Sequence, residues 1–249
     1  MENLFKKLSD KINQITHKST SAVILCAGSS TRFSQGADSK QMALVCNEPV
    51  ILHTLRAFDD SDCICEIILV VRKEDKDKYE ELVNTHQIKK VKEIIPGGAT
   101  RQESAYLGFK SVSGSANYVA IHDGARCLVT PKIISDVSQA AHRYKAAAAA
   151  SRNTDTVKMV DKKGFVTKTL DRDFVWNVQT PQIFEKKLYN VSLHYVKANH
   201  IEVTDDCMMA ESAKFKVKLV DTGKENIKIT FKSDILLAEQ ILNSRRSNK

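Results

Sequence analysis

Proline and glycine are scarce, 4 and 9 in 249 residues, which excludes collagen-like, linker-rich and low-complexity architectures. Aromatics make up 6% with a single Trp, too few for a surface that works mainly by stacking on sugars or bases. No run approaches the roughly 18 apolar residues of a membrane span. The opening segment MENLFKKLSDKINQI has no hydrophobic signal core and no small-residue cleavage site. Six cysteines, at positions 26, 46, 63, 65, 127 and 207, show no CxxC pattern and no disulfide framework. The nearest pair, Cys63 and Cys65, lacks zinc-ligand spacing. They read as small hydrophobes of a reducing compartment, and a cytoplasmic location is expected.

What is present is a 42% hydrophobic content, enough for a real core, and a net charge of +8. That charge sits at the ends. Residues 1–20 carry 4 basic and 2 acidic side chains, and residues 214–249 carry 9 and 4. The 193 residues between them hold 25 basic and 24 acidic side chains. A nucleic-acid binder should show a basic stripe on its folded face, and the nearly neutral body argues against such a partner. Within residues 1–20, Leu4, Phe5, Leu8, Ile12 and Ile15 share one helical face. An amphipathic helical extension is expected there, packed on its own or a neighbouring domain, with a membrane-surface anchor as the other reading.

From residue 21 onward, short apolar runs alternate with helical patterns. Strands are expected at Ala22–Leu25, Glu66–Val71, Val91–Ile95 and Tyr118–Ile121, and helices at Ile51–Phe58, Lys73–Asn84, Arg101–Val112 and Pro131–Tyr144. This alternation predicts an α/β fold, a Rossmann-like, doubly wound and mostly parallel sheet. After Ala150 the pattern becomes a β-hairpin, Thr156–Val160 and Phe165–Leu170 around Gly164. Too thin to stand alone, it is expected to project as an arm, at about residues 150–172, and to find its partner on a second subunit. Further elements are expected at Glu185–Lys197, Asp205–Ala213, Lys216–Val220 and Ser233–Asn243. Residues 21–249 thus read as one catalytic domain with an inserted arm.

Three loops at the carboxyl ends of expected strands carry chemistry, where open α/β sheets bind ligands. The first runs Ala27-Gly28-Ser29-Ser30-Thr31-Arg32 and on to Lys40. It is neither GxGxxG nor a Walker loop. Small residues with free amides and two cations eight positions apart suit a polyphosphate, although two ordinary surface cations would read the same. The second is Gly97-Gly98-Ala99-Thr100-Arg101-Gln102-Glu103-Ser104, paired glycines ahead of a helix that permit close approach to a flat ligand, or simply a tight turn. The third is His122-Asp123-Gly124-Ala125-Arg126. A carboxylate at a strand tip is a natural partner for a phosphate-bound divalent cation, or else a cap for the next segment.

Together these loops match a family. The chain resembles 2-C-methyl-D-erythritol 4-phosphate cytidylyltransferases from about Ala22 to the last helix. The match rests on the three loops and on Asp155-Thr156, Thr169-x-Asp171-Arg172, Gln179-Thr180-Pro181-Gln182, Thr204-Asp205-Asp206 and Asn226-Ile227-Lys228. The resemblance implies transfer of CMP from CTP to a sugar-alcohol phosphate, Mg2+ on the triphosphate with Asp123 nearby, and a homodimer formed with the arm. It implies catalytic roles for Arg32, Lys40 and Lys228, and CTP contacts for Ala27, Gly28, Gly97, Gly98, Arg101 and Ser104. Asp123, Arg126, Thr154, Thr169, Thr204 and Lys228 fall at positions around the methylerythritol phosphate.

There are departures. Thr154 stands where the family commonly has an arm cation, and Arg152 is the candidate replacement. Cys127 and Ser39 stand where proline is common. Two other readings are ribitol-5-phosphate cytidylyltransferase, disfavoured by Trp176 three residues before Gln179, and a non-catalytic nucleotide-binding protein, disfavoured by retention of the cations.

Overall fold

The computed structural model describes residues 19–28, 33 and 39–247. Arg32 and all but the last two residues of the expected N-terminal extension lie outside the described residues. Strand β1 (Thr20–Leu25) lies between two parallel neighbours, β4 (Ile64–Val71) and β6 (Tyr118–Asp123). β5 (Val91–Pro96) extends the sheet beyond β4. Beyond β6 come β10 (Trp176–Glu185), β7 (Ala146–Arg152) and β11 (Lys218–Asp221). β10 runs antiparallel to both of its neighbours, whereas β11 joins β7 in parallel. The sheet is therefore mostly parallel, as the alternating pattern predicts.

Side-chain alternation builds two cores. Ala22, Ile24, Ile67, Leu69 and Ala120 point to one face of the sheet; Val23, Leu25, Ile68, Val70 and Val119 point to the other. Helices α1 (Val50–Asp59), α2 (Lys76–Thr85) and α4 (Pro131–Tyr144) cover the first face. Helices α3 (Arg101–Ser111), α5 (Lys186–Ala198) and α6 (Asp206–Ser212) cover the second. The short strands β2 (Leu44–Val45) and β3 (Glu48–Pro49) and helix α7 (Ser233–Ser247) enclose a third, smaller cluster around Val45, Leu128, Ile229 and Ala238.

Besides the short β2 and β3, two strands of the main sheet, β7 and β10, are not among the expected elements. β7 opens on five alanines, a residue with poor strand propensity, yet all five are fully buried. Ala147 and Ala149 enter one core, and Ala146 and Ala148 the other; burial between two helical layers overrides propensity here. β10 contains Pro181, which argues against a central strand. Its pairing with β7 shifts register between Val178 and Gln182, so the missing proline N–H falls in the interrupted stretch.

The expected hairpin forms from β8 (Lys158–Val160) and β9 (Val166–Thr169), a separate two-stranded ribbon. Asp161 Oδ1 accepts the backbone N–H of Lys163 and Phe165, both at 2.9 Å. Gly164 takes the left-handed φ of +88° that the turn needs. Met159, Val160, Phe165, Val166 and Phe174 are exposed, Phe174 to 83%.

The chain steps from β1 outward to β4 and β5, then returns to β6 on the opposite side of β1. This reversal opens a crevice at the carboxyl ends of β1 and β6, where Leu25 and Asp123 lie in register.

Candidate active site

A cavity of about 390 Å3 occupies that crevice. Ala27 and Gly28 enter it directly after β1, and Gly98, Arg101 and Ser104 enter with the start of α3. Asp123 ends β6, and Lys40 and Lys228 reach in from loops ahead of β2 and beyond β11. Residues separated by up to two hundred positions thus converge because each sits at the end of an element.

Asp123 is the hub. Its Oδ2 accepts Lys228 Nζ at 2.6 Å, its Oδ1 accepts Arg101 Nε at 3.3 Å, and its backbone N–H donates to Thr180 Oγ1 at 3.0 Å. Burial alone would raise this carboxyl, but the charges of Arg101 and Lys228 outweigh it and hold Asp123 well below the usual carboxylate range. It is ionised at neutral pH. Burial likewise opposes the charge on Arg101, and the carboxylates of Asp206 and Asp123 more than compensate. Arg101 Nη1 donates to Asp206 Oδ2 at 2.8 Å, so one guanidinium spans two carboxylates.

The glycine turn is tight for a reason visible at Gly97. A side-chain Cβ there would lie 2.4 Å from Ala27 Cβ and 2.8 Å from Ser104 Oγ. Gly97 therefore lies beneath the cavity wall, where the first and second loops touch. Ser104 Oγ donates to Thr100 O at 2.9 Å and accepts the Gly98 N–H at 3.1 Å. Thr100 caps α3 by accepting the Glu103 N–H, and Glu103 reaches back to the Ala99 N–H at 2.8 Å. The loop is thus held by its own hydrogen bonds, and the Gly98 amide is spent on that hold.

His122 lies beneath the site. Its Nδ1 is 3.1 Å from Thr180 Oγ1, and its ring packs 4.8 Å from that of Phe58. Burial lowers its pKa to about 3, against the opposing pull of Asp123. The unfolded chain takes up a proton near pH 6.5 and the folded chain does not. Stability is therefore expected to fall with pH between about 6.5 and 3, with a slope of up to about 1.4 kcal/mol per pH unit. Urea midpoints at pH 7.5 and 5.0 measure it, and His122→Gln should flatten the slope; an unchanged slope would contradict this account.

Other expected site residues lie outside the cavity lining. Arg126 is mostly buried, with Nη1 donating to Asn226 O at 2.8 Å. Thr204 is exposed ahead of α6. Thr169 sits on the ribbon, accepting Lys158 Nζ at 2.7 Å. Thr154 Oγ1 accepts the ammonium of Lys224, a cation the sequence reading did not single out. Arg152, the expected replacement, is committed elsewhere: it pairs with Asp221 at 3.2 Å and stacks 4.6 Å from the Trp176 ring.

As for a metal, the described residues contain no group of three or more His, Cys, Asp or Glu that could form a cage. A single ionised carboxylate at the cavity edge fits a cation that arrives already bound to phosphates, the usual manner of Mg2+.

Cations gathered around buried carboxylates at a switch-point cavity, beside a close-packed glycine turn, make a pocket suited to phosphate groups. Comparison gives the class, a nucleotidyltransferase, and the family. The family model for 2-C-methyl-D-erythritol 4-phosphate cytidylyltransferase matches residues 20–244, and the chain belongs to that family. A cytidylyltransferase of that name from Caldanaerobacter subterraneus subsp. tengcongensis is 39% identical over 223 residues, covering 89% of this chain and 98% of the relative. A Clostridium botulinum (strain 657) relative is 38% identical, at 89% and 96% coverage. Among solved structures, the 4-diphosphocytidyl-2C-methyl-D-erythritol synthase of Anaerococcus prevotii superposes with a TM-score of 0.80 at 33% identity, covering 91% of this chain and 99% of that one. The Thermus thermophilus cytidylyltransferase gives 0.72 at 26% identity, with 90% and 98% covered.

Proposed function

We propose that the chain transfers CMP from CTP to 2-C-methyl-D-erythritol 4-phosphate and releases diphosphate. The observation that carries this reading is the Arg101–Asp123–Lys228 cluster at the switch-point cavity. The acceptor's phosphate has a second pKa of about 6 and is mostly a dianion at neutral pH, so it is its own nucleophile. Its oxygen attacks the α-phosphorus of CTP, the bond to the bridging oxygen of the β-phosphate breaks, and diphosphate leaves with that electron pair. No proton has to move to a protein base.

The task left to the protein is to bring a dianion against a polyanion, by positioning and neutralising charge. Lys40, and Arg32 by the family resemblance, bear on the α-phosphate. Arg101 and the two loops that bring Ala27, Gly28, Gly98 and Ser104 to the cavity hold CTP, with Gly97 packed beneath them. Lys228 and Arg126 serve the acceptor phosphate, with Thr169 and Thr204 contributing hydroxyls. At the arm, Thr154 with Lys224 takes the place of the usual cation. Mg2+, carried on the triphosphate within reach of Asp123, supplies charge neutralisation when bound.

Exposed apolar side chains on the ribbon support a homodimer joined through the arm. A dimer mass is expected in solution, with Phe165→Glu driving it toward monomer. A clean monomer of the unaltered chain at micromolar concentration would contradict the dimer. All six cysteines are free, which suits the reducing cytoplasm. No described helix is long and apolar enough to cross a membrane.

Diphosphate release from CTP and Mg2+ tests the activity, with methylerythritol phosphate and ribitol 5-phosphate as alternative acceptors. Release is expected with the first and loss on chelation of the metal. Release with ribitol phosphate alone would overturn the substrate, and silence with both would overturn the reaction.

A further inference from the structure

We propose that Tyr189 and Asp206 are positioning residues that set the guanidinium of Arg101 for CTP. The inference rests on the cytidylyltransferase reading above.

Asp206 opens α6 and is almost fully buried. Its Oδ2 holds Arg101 Nη1 at 2.8 Å, its Oδ1 accepts the Tyr189 hydroxyl at 2.7 Å, and its backbone N–H donates to Gln182 Oε1 at 3.1 Å. Tyr189 is itself fully buried in α5, its ring packed 4.9 Å from Phe109 and 5.4 Å from Phe184. Burial pushes its phenol well above the ordinary value, reinforced by the Asp206 charge. The phenol stays protonated and donates. A core position thus aims a hydroxyl at a carboxylate that aims a guanidinium at the cavity.

Arg101 needs this second anchor. Its other contact is Asp123, which also binds Lys228. Held by Asp123 alone, Arg101 would be drawn across the cavity into that cluster. Asp206 pulls from the opposite side, so the guanidinium is fixed at two edges before CTP arrives. Preorganisation of this kind lowers the ordering cost of binding, and a loosened Arg101 weakens CTP binding more than it slows chemistry. A phenylalanine preserves the ring packing and deletes only the hydroxyl.

The test compares the full chain with Tyr189→Phe, Arg101→Lys and the double variant. Readouts are steady-state kinetics, CTP titration calorimetry without acceptor, and thermal midpoint. Tyr189→Phe should raise both KM and Kd for CTP about fivefold, with kcat changed less than about twofold. In the Arg101→Lys background it should add less than about twofold, because the two residues act through one contact. A lowered midpoint with unchanged KM and Kd would overturn the proposal, leaving Tyr189 a packing residue. So would fully multiplicative effects in the double variant. Calorimetry separates the two readings: CTP binding with no turnover counts against the reaction alone, and no CTP binding by the unaltered chain overturns both.

Discussion

Lys228→Met is expected to lower kcat/KM by about a hundredfold to a thousandfold, the cost typical of losing one preorganised donor to developing charge. Lys228 Nζ lies 2.6 Å from Asp123 Oδ2, and its side chain is 33% exposed toward the cavity. Without it, Asp123 keeps, among the described residues, only Arg101 as an ion-pair partner in a site that the proposed reaction fills with two anions. Both ground-state binding and transition-state stabilisation should suffer, so KM rises and kcat falls. Stability should drop by roughly 1–2 kcal/mol, less than for breaking a fully buried pair, because the ammonium is partly solvated. Adding Asp123→Asn should leave the activity lost and not restore stability, because Arg101 then loses one of its two carboxylates. Kinetics and urea unfolding on the unaltered chain and both variants decide this. Near-normal kcat/KM in Lys228→Met would remove the cluster from the mechanism.

Lys40→Ala should separate chemistry from binding. Lys40 lines the cavity at the end of the first loop, where the proposed reaction puts the α-phosphate as the acceptor oxygen approaches. A charge matched to the transition state affects kcat more than ground-state affinity. The expected result is a kcat lowered about a hundredfold or more, with the CTP Kd from calorimetry changed less than about threefold. A Kd that weakens as much as kcat/KM falls would make Lys40 a simple CTP contact.

Sequence and structure agree most closely where chemistry follows local order. The glycine turn before α3 and the His-Asp tip of β6 each lie within a few consecutive residues, so their composition alone exposes them. The sheet is legible wherever a strand is rich in Val, Ile and Leu. β7 escapes because alanine carries no strand signal of its own, and β10 because the interruption that accommodates Pro181 exists only in the pairing with β7. Asp206 stands inside the Thr-Asp-Asp motif without any local sign that it clamps Arg101. Tyr189 belongs to no motif, and its hydroxyl gains meaning only from a contact across the second core. The different partners of Arg152 and Lys224 are likewise visible only in the tertiary structure. Trp176 and Asp221 engage the arginine, while the lysine, 70 positions from Thr154, donates to the Thr154 hydroxyl.

The central claim is a single displacement: the acceptor's phosphate attacks CTP directly, with the protein contributing positioned charge and no covalent link to the nucleotide. The stereochemistry at phosphorus tests it most directly. Turnover of a CTP analogue made chiral by sulfur at the α-phosphorus should give product of inverted configuration. Retention would require two displacements through a nucleotidylated side chain, and would contradict the account.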